Sequence, residues 1–176
     1  MTICCYGDSN TFGFDPRGFF GDRYDAPWPD ALAELTGWVV RNCGSCGRRV
    51  PIRDTALSKD NDLVIVMLGT NDLLNGDDPP EIARKMEHFL SLQDLEKVIL
   101  IAPPHLSRGE WVADDDMIRR SEGLTEEYRE VALRLGIQFL DAGEWNIPLC
   151  YDGVHFTEAG HRIFAEQVRA AIESAT

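Results

Sequence analysis

Three short runs of apolar, largely β-branched residues constrain the fold of this chain most: Ile3–Tyr6, Leu63–Leu68 and Val98–Ile101. Each is bounded by turn-forming residues. A strand that is apolar throughout is buried on both faces, which is the pattern of a parallel sheet covered by helices on either side. Trp38–Val40 and Ile137–Leu140 are two weaker runs of the same kind. Helical patterns fall between the strands, over Pro29–Leu35, Pro79–Leu92, Leu124–Leu135 and Phe164–Ile172. In Pro79–Leu92, Glu81 sits in the first turn, and Ile82, Met86, Phe89 and Leu90 share one face. Gly136 stops the third helix, and Thr157 is placed to cap the last. Strands alternating with helices predict an α/β fold with right-handed crossovers and a sheet of about five strands, a usual number.

The 176 residues suit one hydrophobic core. No linker, repeat or low-complexity tract divides them, so residues 1–176 read as a single domain. The formal net charge of −13 argues against nucleic acid as a partner, because a phosphate backbone needs clustered Lys and Arg. No apolar run is long enough to span a bilayer, and the first residues lack the basic and apolar regions of a secretory leader. The cysteine count of five is odd, which disfavours a disulfide framework. Together these predict a cytoplasmic protein with reduced thiols and no membrane partner. Its oligomeric state is left open. Pro103–Ser121, with Pro103, Pro104, Gly109, Trp111 and Asp114–Asp116, is the least patterned stretch and reads as a surface loop bordering a pocket.

Ligands of parallel sheets bind at the carboxyl ends of the strands. The chemically active residues follow those ends. Gly7-Asp8-Ser9-Asn10 follows the first strand, Asn42 to Gly47 the second, and Gly69-Thr70-Asn71-Asp72 the third. Asp152-Gly153-Val154-His155 follows the last across a loop. A serine hydroxyl becomes a nucleophile when a base takes its proton, and a histidine titrates near neutral pH. A carboxylate such as Asp152 can hold that histidine in one tautomer. Ser9, Asp152 and His155 are therefore candidates for a catalytic triad. The backbone N–H groups of Ser9 and Gly47 and the neutral amide of Asn71 are candidate donors to an oxyanion.

Each residue also has a plainer reading. Ser9 can cap a helix, Asp152-Gly153 can form a turn, and His155 can lie on the surface near a helix cap. Asp8 reads as a loop organiser rather than an acid, Asn71-Asp72 as an N-cap pair with Asp72 in that role, and Arg48 as a solvated or salt-bridged side chain rather than a substrate contact. His88, His105 and His161 read as ordinary residues. Cys43 and Cys46 form a C-x-x-C, but zinc needs two further ligands and a redox dithiol needs a better helix start, so free thiols fit best. Trp28, Trp38 and Trp145 read as core or rim aromatics, and Trp111 as a wall of the substrate-binding pocket.

Taken in order, Gly7-Asp8-Ser9-Asn10-Thr11-Phe12-Gly13, Asn42 through Gly47, Gly69-Thr70-Asn71-Asp72 and Asp152-Gly153-Val154-His155-Phe156 resemble the four sequence blocks of the SGNH hydrolases, also called the GDSL esterase/lipase family. Val64–Leu74 and Asp152–Glu158 look most like the bacterial arylesterase and acyltransferase branch, although Gly47 to Leu63 is short for that branch. The resemblance implies a flavodoxin-like three-layer α/β/α sandwich. It further implies hydrolysis of small-molecule carboxylic esters, with Ser9 as nucleophile, His155 and Asp152 as base and acid, and Ser9, Gly47 and Asn71 as oxyanion hole. No metal or organic cofactor is implied. Without a long apolar lid, short acyl groups are the expected substrates. Two other readings remain open: a thioesterase or acyltransferase with the same machinery, and a small-molecule module in which Gly7–Gly13 cradles a phosphate.

Overall fold

The computed structural model describes residues 1–18 and 21–175. Strand β1 (Thr2–Gly7) leads into a one-turn helix, α1 (Ser9–Phe12). A small hairpin of β2 (Phe14–Asp15) and β3 (Asp22–Arg23) precedes α2 (Trp28–Thr36) and β4 (Val39–Gly44). Then come β5 (Leu63–Met67), α3 (Thr70–Leu74), α4 (Pro79–Ser91) and β6 (Val98–Ala102). The chain closes with α5 (Asp115–Leu135), β7 (Gln138–Asp141) and α6 (Glu158–Ser174).

The five longer strands form one parallel sheet in the order β4-β1-β5-β6-β7. This is the flavodoxin-like order, in which the chain reverses its direction of travel across the sheet beside the first strand. Gly7 at the end of β1 is level with Gly44 of β4 and Met67 of β5. The segments leaving these three strands therefore start at one height on one rim.

Successive residues of each strand point to opposite faces. Val64, Val66 and Leu100 pack against Ile82, Met86 and Phe89 of α4 and Tyr128 and Val131 of α5. Ile3, Ile65, Met67 and Ile99 pack against Trp28 and Leu32 of α2 and Phe164 and Val168 of α6. Burying each such side chain contributes roughly 1.5–3 kcal/mol, so the two apolar layers hold the rim residues on a rigid base. The expected three-layer sandwich and strand number are both found.

Three local expectations are corrected. β4 continues beyond Val40 to Gly44, so Asn42 and Cys43 lie in the strand and not after it. Arg41 and Asn42 hid it, because an edge strand need not be apolar throughout. α5 starts at Asp115, nine residues before Leu124, and takes over the end of the expected loop, from Asp115 to Ser121. Asp114 caps it by accepting from Met117 N at 3.0 Å, and its first turns are polar because they face solvent. The β2–β3 hairpin was not expected, since two residues per strand carry no periodicity.

Candidate active site

The Ser9 end of the site is shaped by close packing at β1. A Cβ on Gly7 would lie 2.1 Å from Thr11 Oγ1, so only glycine lets α1 fold back against the strand. Asp8 Oδ1 accepts from Asn10 N at 3.0 Å, and Gly13 ends the turn at φ 94°. Asp8 is thus the loop organiser that was expected, and Ser9 is the first residue of α1 and not its cap. Burial pushes the Asp8 carboxyl up to about 6, against the opposing pull of the Asn10 N–H.

The other end of the site is a turn stabilised by its own acid. Asp152 Oδ1 accepts from Val154 N at 2.9 Å and from His155 N at 3.0 Å, while Oδ2 lies 2.6 Å from His155 Nδ1. Burial favours the neutral acid, but the imidazole and the two backbone donors outweigh it and hold the carboxyl below its ordinary value. An ionised Asp152 fixes the ring with Nδ1–H as donor. His155 Nε2 then lies 3.0 Å from Ser9 Oγ. Ser9 is 7%, His155 3% and Asp152 0% exposed. Asp152 thus lies in a turn, as its plainer reading holds, whereas His155 is buried and not on the surface.

A second turn faces this pair. Arg48 N donates to Ser45 O at 3.1 Å, with Gly47 in the left-handed region at φ 73°. Ser45 N donates to Gly7 O at 3.1 Å. The Arg48 guanidinium donates to Gly7 O at 2.9 Å and to Cys43 O, and stacks over the Tyr6 ring at 4.2 Å. Arg48 is thus a brace under the turn, neither solvated nor salt-bridged as expected. Asn71, at the start of α3, donates one amide hydrogen to Arg48 O at 3.2 Å. Asp72 does not cap α3. Its Oδ2 accepts from Val50 N at 2.9 Å and its Oδ1 pairs with Arg49 at 3.4 Å. The cap position is Gly69, at φ 119° against Tyr128 and Leu124, where a side chain would clash.

Ser9, Gly47, Asn71 and His155 line one pocket of about 210 Å³ with Phe14, Cys46 and Trp111. The ring of Phe14 packs 4.8 Å and that of Trp111 5.2 Å from the His155 ring. Trp111 is 52% exposed, so it forms the open wall. The expected site residues are brought together. Phe14 was missed as a pocket wall, because nothing in the sequence ties the hairpin to this rim, whereas Cys46 lines the pocket beside Gly47, within the Asn42–Gly47 block expected on this rim. Asn10 was missed too: its side chain bonds to Val154 O at 3.1 Å and to Phe156 N at 2.9 Å, on either side of His155. Cys43 is half-buried and Cys46 exposed. His161 is fully buried, with Nδ1 accepting from Trp28 N at 3.2 Å. Among the described residues, no group of three or more His, Cys, Asp or Glu is placed to hold a metal ion, and no helix is long and apolar enough to cross a membrane.

Known proteins share this fold. The native aryl esterase of M. smegmatis is 26% identical, with a TM-score of 0.85 and 98% of each chain covered. A putative arylesterase of Agrobacterium tumefaciens is 27% identical, with a TM-score of 0.83 over 98% of each chain. A carbohydrate acetylesterase of Sinorhizobium meliloti is 25% identical, with a TM-score of 0.76 over 97% of this chain and 99% of that one. A GDSL esterase/lipase of Arabidopsis thaliana is 28% identical over 202 residues, which take in 98% of this chain but 64% of the plant protein. The profile of the GDSL-like lipase/acylhydrolase family matches residues 5–163, and the chain belongs to that family.

Proposed function

We propose that the chain is a serine esterase that hydrolyses short-acyl carboxylic esters of small alcohols or phenols. The observation that carries this reading is the run of short contacts from Asp152 through His155 to Ser9 on the floor of the pocket. Ser9 Oγ attacks the ester carbonyl carbon as His155 Nε2 takes its proton. The positive imidazolium that forms is stabilised by the Asp152 carboxylate at Nδ1. The carbonyl oxygen becomes an oxyanion facing Ser9 N–H, Gly47 N–H and the Asn71 amide. His155 returns the proton to the leaving oxygen, and the alcohol departs. Water then attacks the acyl-enzyme, with His155 again taking the proton, and releases the acid.

The pocket supports the small acyl group, since about 210 Å³ between Phe14 and Trp111 leaves little room for a fatty chain. Trp111 offers its face to the acyl or alcohol part of the substrate. The names of the aryl esterase and the carbohydrate acetylesterase favour the same size class. A phosphate-binding module is less well supported, because Asn10 N at the start of α1 is already bonded to Asp8. The unit of function is residues 1–176 as one domain, and its odd number of cysteines fits the reducing cytoplasm. The test is turnover of p-nitrophenyl acetate by the chain and by Ser9→Ala. The reading expects turnover in the first and almost none in a folded variant; equal rates refute it.

A further inference from the structure

The carboxamide of Asn10 joins two parts of the chain that lie 144 and 146 residues apart from it. Its Nδ2 donates to Val154 O at 3.1 Å, and its Oδ1 accepts from Phe156 N at 2.9 Å. Phe156 N–H is only a donor and Val154 C=O only an acceptor, so the partners fix which way the amide faces. One side chain therefore holds the peptide groups on both sides of His155. Asn10 is buried, and it follows Ser9 directly in the one turn of α1.

The rest of the His155 segment is anchored elsewhere. Ser107 N donates to Gly153 O at 3.0 Å, Glu110 N to Tyr151 O at 3.1 Å and Trp111 N to Asp152 O at 3.1 Å. Cys150 N donates to His155 O at 2.7 Å, which closes the segment on itself. These bonds place Asp152 relative to the loop carrying Trp111. They do not place His155 relative to α1. Among the described residues, the hydrogen bonds between α1 and Val154–Phe156 are the two made by Asn10 and the Ser9–His155 contact itself.

We propose that Asn10 is a positioning residue that sets the separation of Ser9 Oγ and His155 Nε2 by tying the base-bearing segment to the nucleophile's own helical turn. The inference rests on the reading of Ser9 and His155 as nucleophile and base. Asparagine fits this task because it carries a donor and an acceptor on one carbon at short reach. Aspartate keeps the shape but loses the donor to Val154 O, and alanine loses both bonds.

Two measurements test it in the intact chain, on Asn10→Ala and Asn10→Asp. In steady-state turnover of p-nitrophenyl acetate well below the melting point, Asn10→Ala lowers kcat by about 100-fold with KM within about twofold, the expected cost of an ångström-scale misplacement. Asn10→Asp also loses kcat at unchanged KM. In amide hydrogen exchange, the Phe156 amide of Asn10→Ala exchanges at least about tenfold faster while the β5 and β6 amides keep their protection, as expected for a local opening. A folded variant of either kind with wild-type kcat overturns the proposal, as does unchanged Phe156 protection in Asn10→Ala. Failure of both variants to fold also overturns it, and assigns Asn10 to stability alone. Absence of turnover in the unsubstituted chain contradicts the esterase reading, and the exchange result still reports on the tether.

Discussion

Ser9 Oγ and His155 Nε2 lie 3.0 Å apart although 146 residues separate them in the chain. The sheet order makes this contact. β1 is an inner strand, flanked by β4 and β5, so Ser9 emerges on the carboxyl rim between the ends of those two strands. The segment after β7 returns over that rim before α6 starts, and two side chains hold it down. Val154 packs with Leu106 and Val112, and Phe156 enters the core beneath α2 and α6. The Ser9–His155 pair is therefore assembled from the first and last loops of the sheet, on a base of two apolar layers.

Asn71→Ala removes a neutral donor from the pocket and frees Arg48 O of its partner. The expected loss is about 100-fold or more in kcat, the usual effect of deleting one oxyanion donor. Steady-state kinetics with p-nitrophenyl acetate check it. A change confined to KM would assign Asn71 to substrate binding alone.

Trp111→Ala opens the exposed wall of the pocket and leaves the Phe14 contact with His155 in place. KM for aryl esters is expected to rise several-fold, with kcat falling less, because the ring supplies contact area to ground state and transition state alike. The comparison of aryl and alkyl acetates reads this directly. A loss of kcat at constant KM would instead make Trp111 a support for the imidazole.

Gly109→Ala tests whether the loop behind Asp152 positions the acid. A Cβ there would lie 2.4 Å from Asp152 C and Gly153 N, both backbone atoms that cannot swing away. The variant is expected to lose about 1–3 kcal/mol of stability, as overpacked sites do, and to lose kcat with it. Gly123→Ala is the control. Its Cβ would meet only Pro79 Cγ at 3.8 Å within α5, so the substitution should stabilise by about 0.5–1 kcal/mol. Urea midpoints and kcat for both variants decide the matter.

The sequence made parts of this legible for clear physical reasons. β5 and β6 are buried on both faces, so their apolar runs stand out, and chemically active residues cluster after such strands in any parallel sheet. That is how Ser9, Gly47, Asn71, Asp152 and His155 could be picked before their distances were known. The start of α5 was not legible, because Arg119, Arg120, Glu122 and Gly123 interrupt the apolar period where the helix faces water. The tether made by Asn10 was not legible either. Its partners are backbone groups, and backbone groups carry no sequence signal. The bracing role of Arg48 was hidden for the same reason, since its guanidinium bonds to Gly7 O and Cys43 O.

His161 gives the protein a term in its acid stability. Burial lowers its pKa from 6.5 to about 3, with Nδ1 engaged by Trp28 N. Above pH 6.5 both folded and unfolded chains hold it neutral. Below that the unfolded chain takes up the proton first, so this contribution to stability declines as the pH falls from about 6.5 towards 3. Asp8, raised to about 6 by burial, acts in the opposite sense. Its folded form holds the proton more tightly, so its contribution declines as the pH rises from 3.8 to about 6. Urea midpoints should show the penalty of His161→Gln relative to the unsubstituted chain shrinking between pH 7 and pH 5. The gain of Asp8→Asn should grow as the pH rises from 4 to 7. A pH-independent difference in either pair contradicts the assignment.

The central claim is that His155 makes Ser9 a nucleophile, and labelling by a serine-reactive fluorophosphonate measures it most directly. Peptide mass analysis should place one adduct per chain on Ser9, and His155→Ala should slow its formation by at least about 100-fold, the lower end of what a general base contributes. Labelling at another residue, no labelling, or an unchanged rate in His155→Ala would contradict the account.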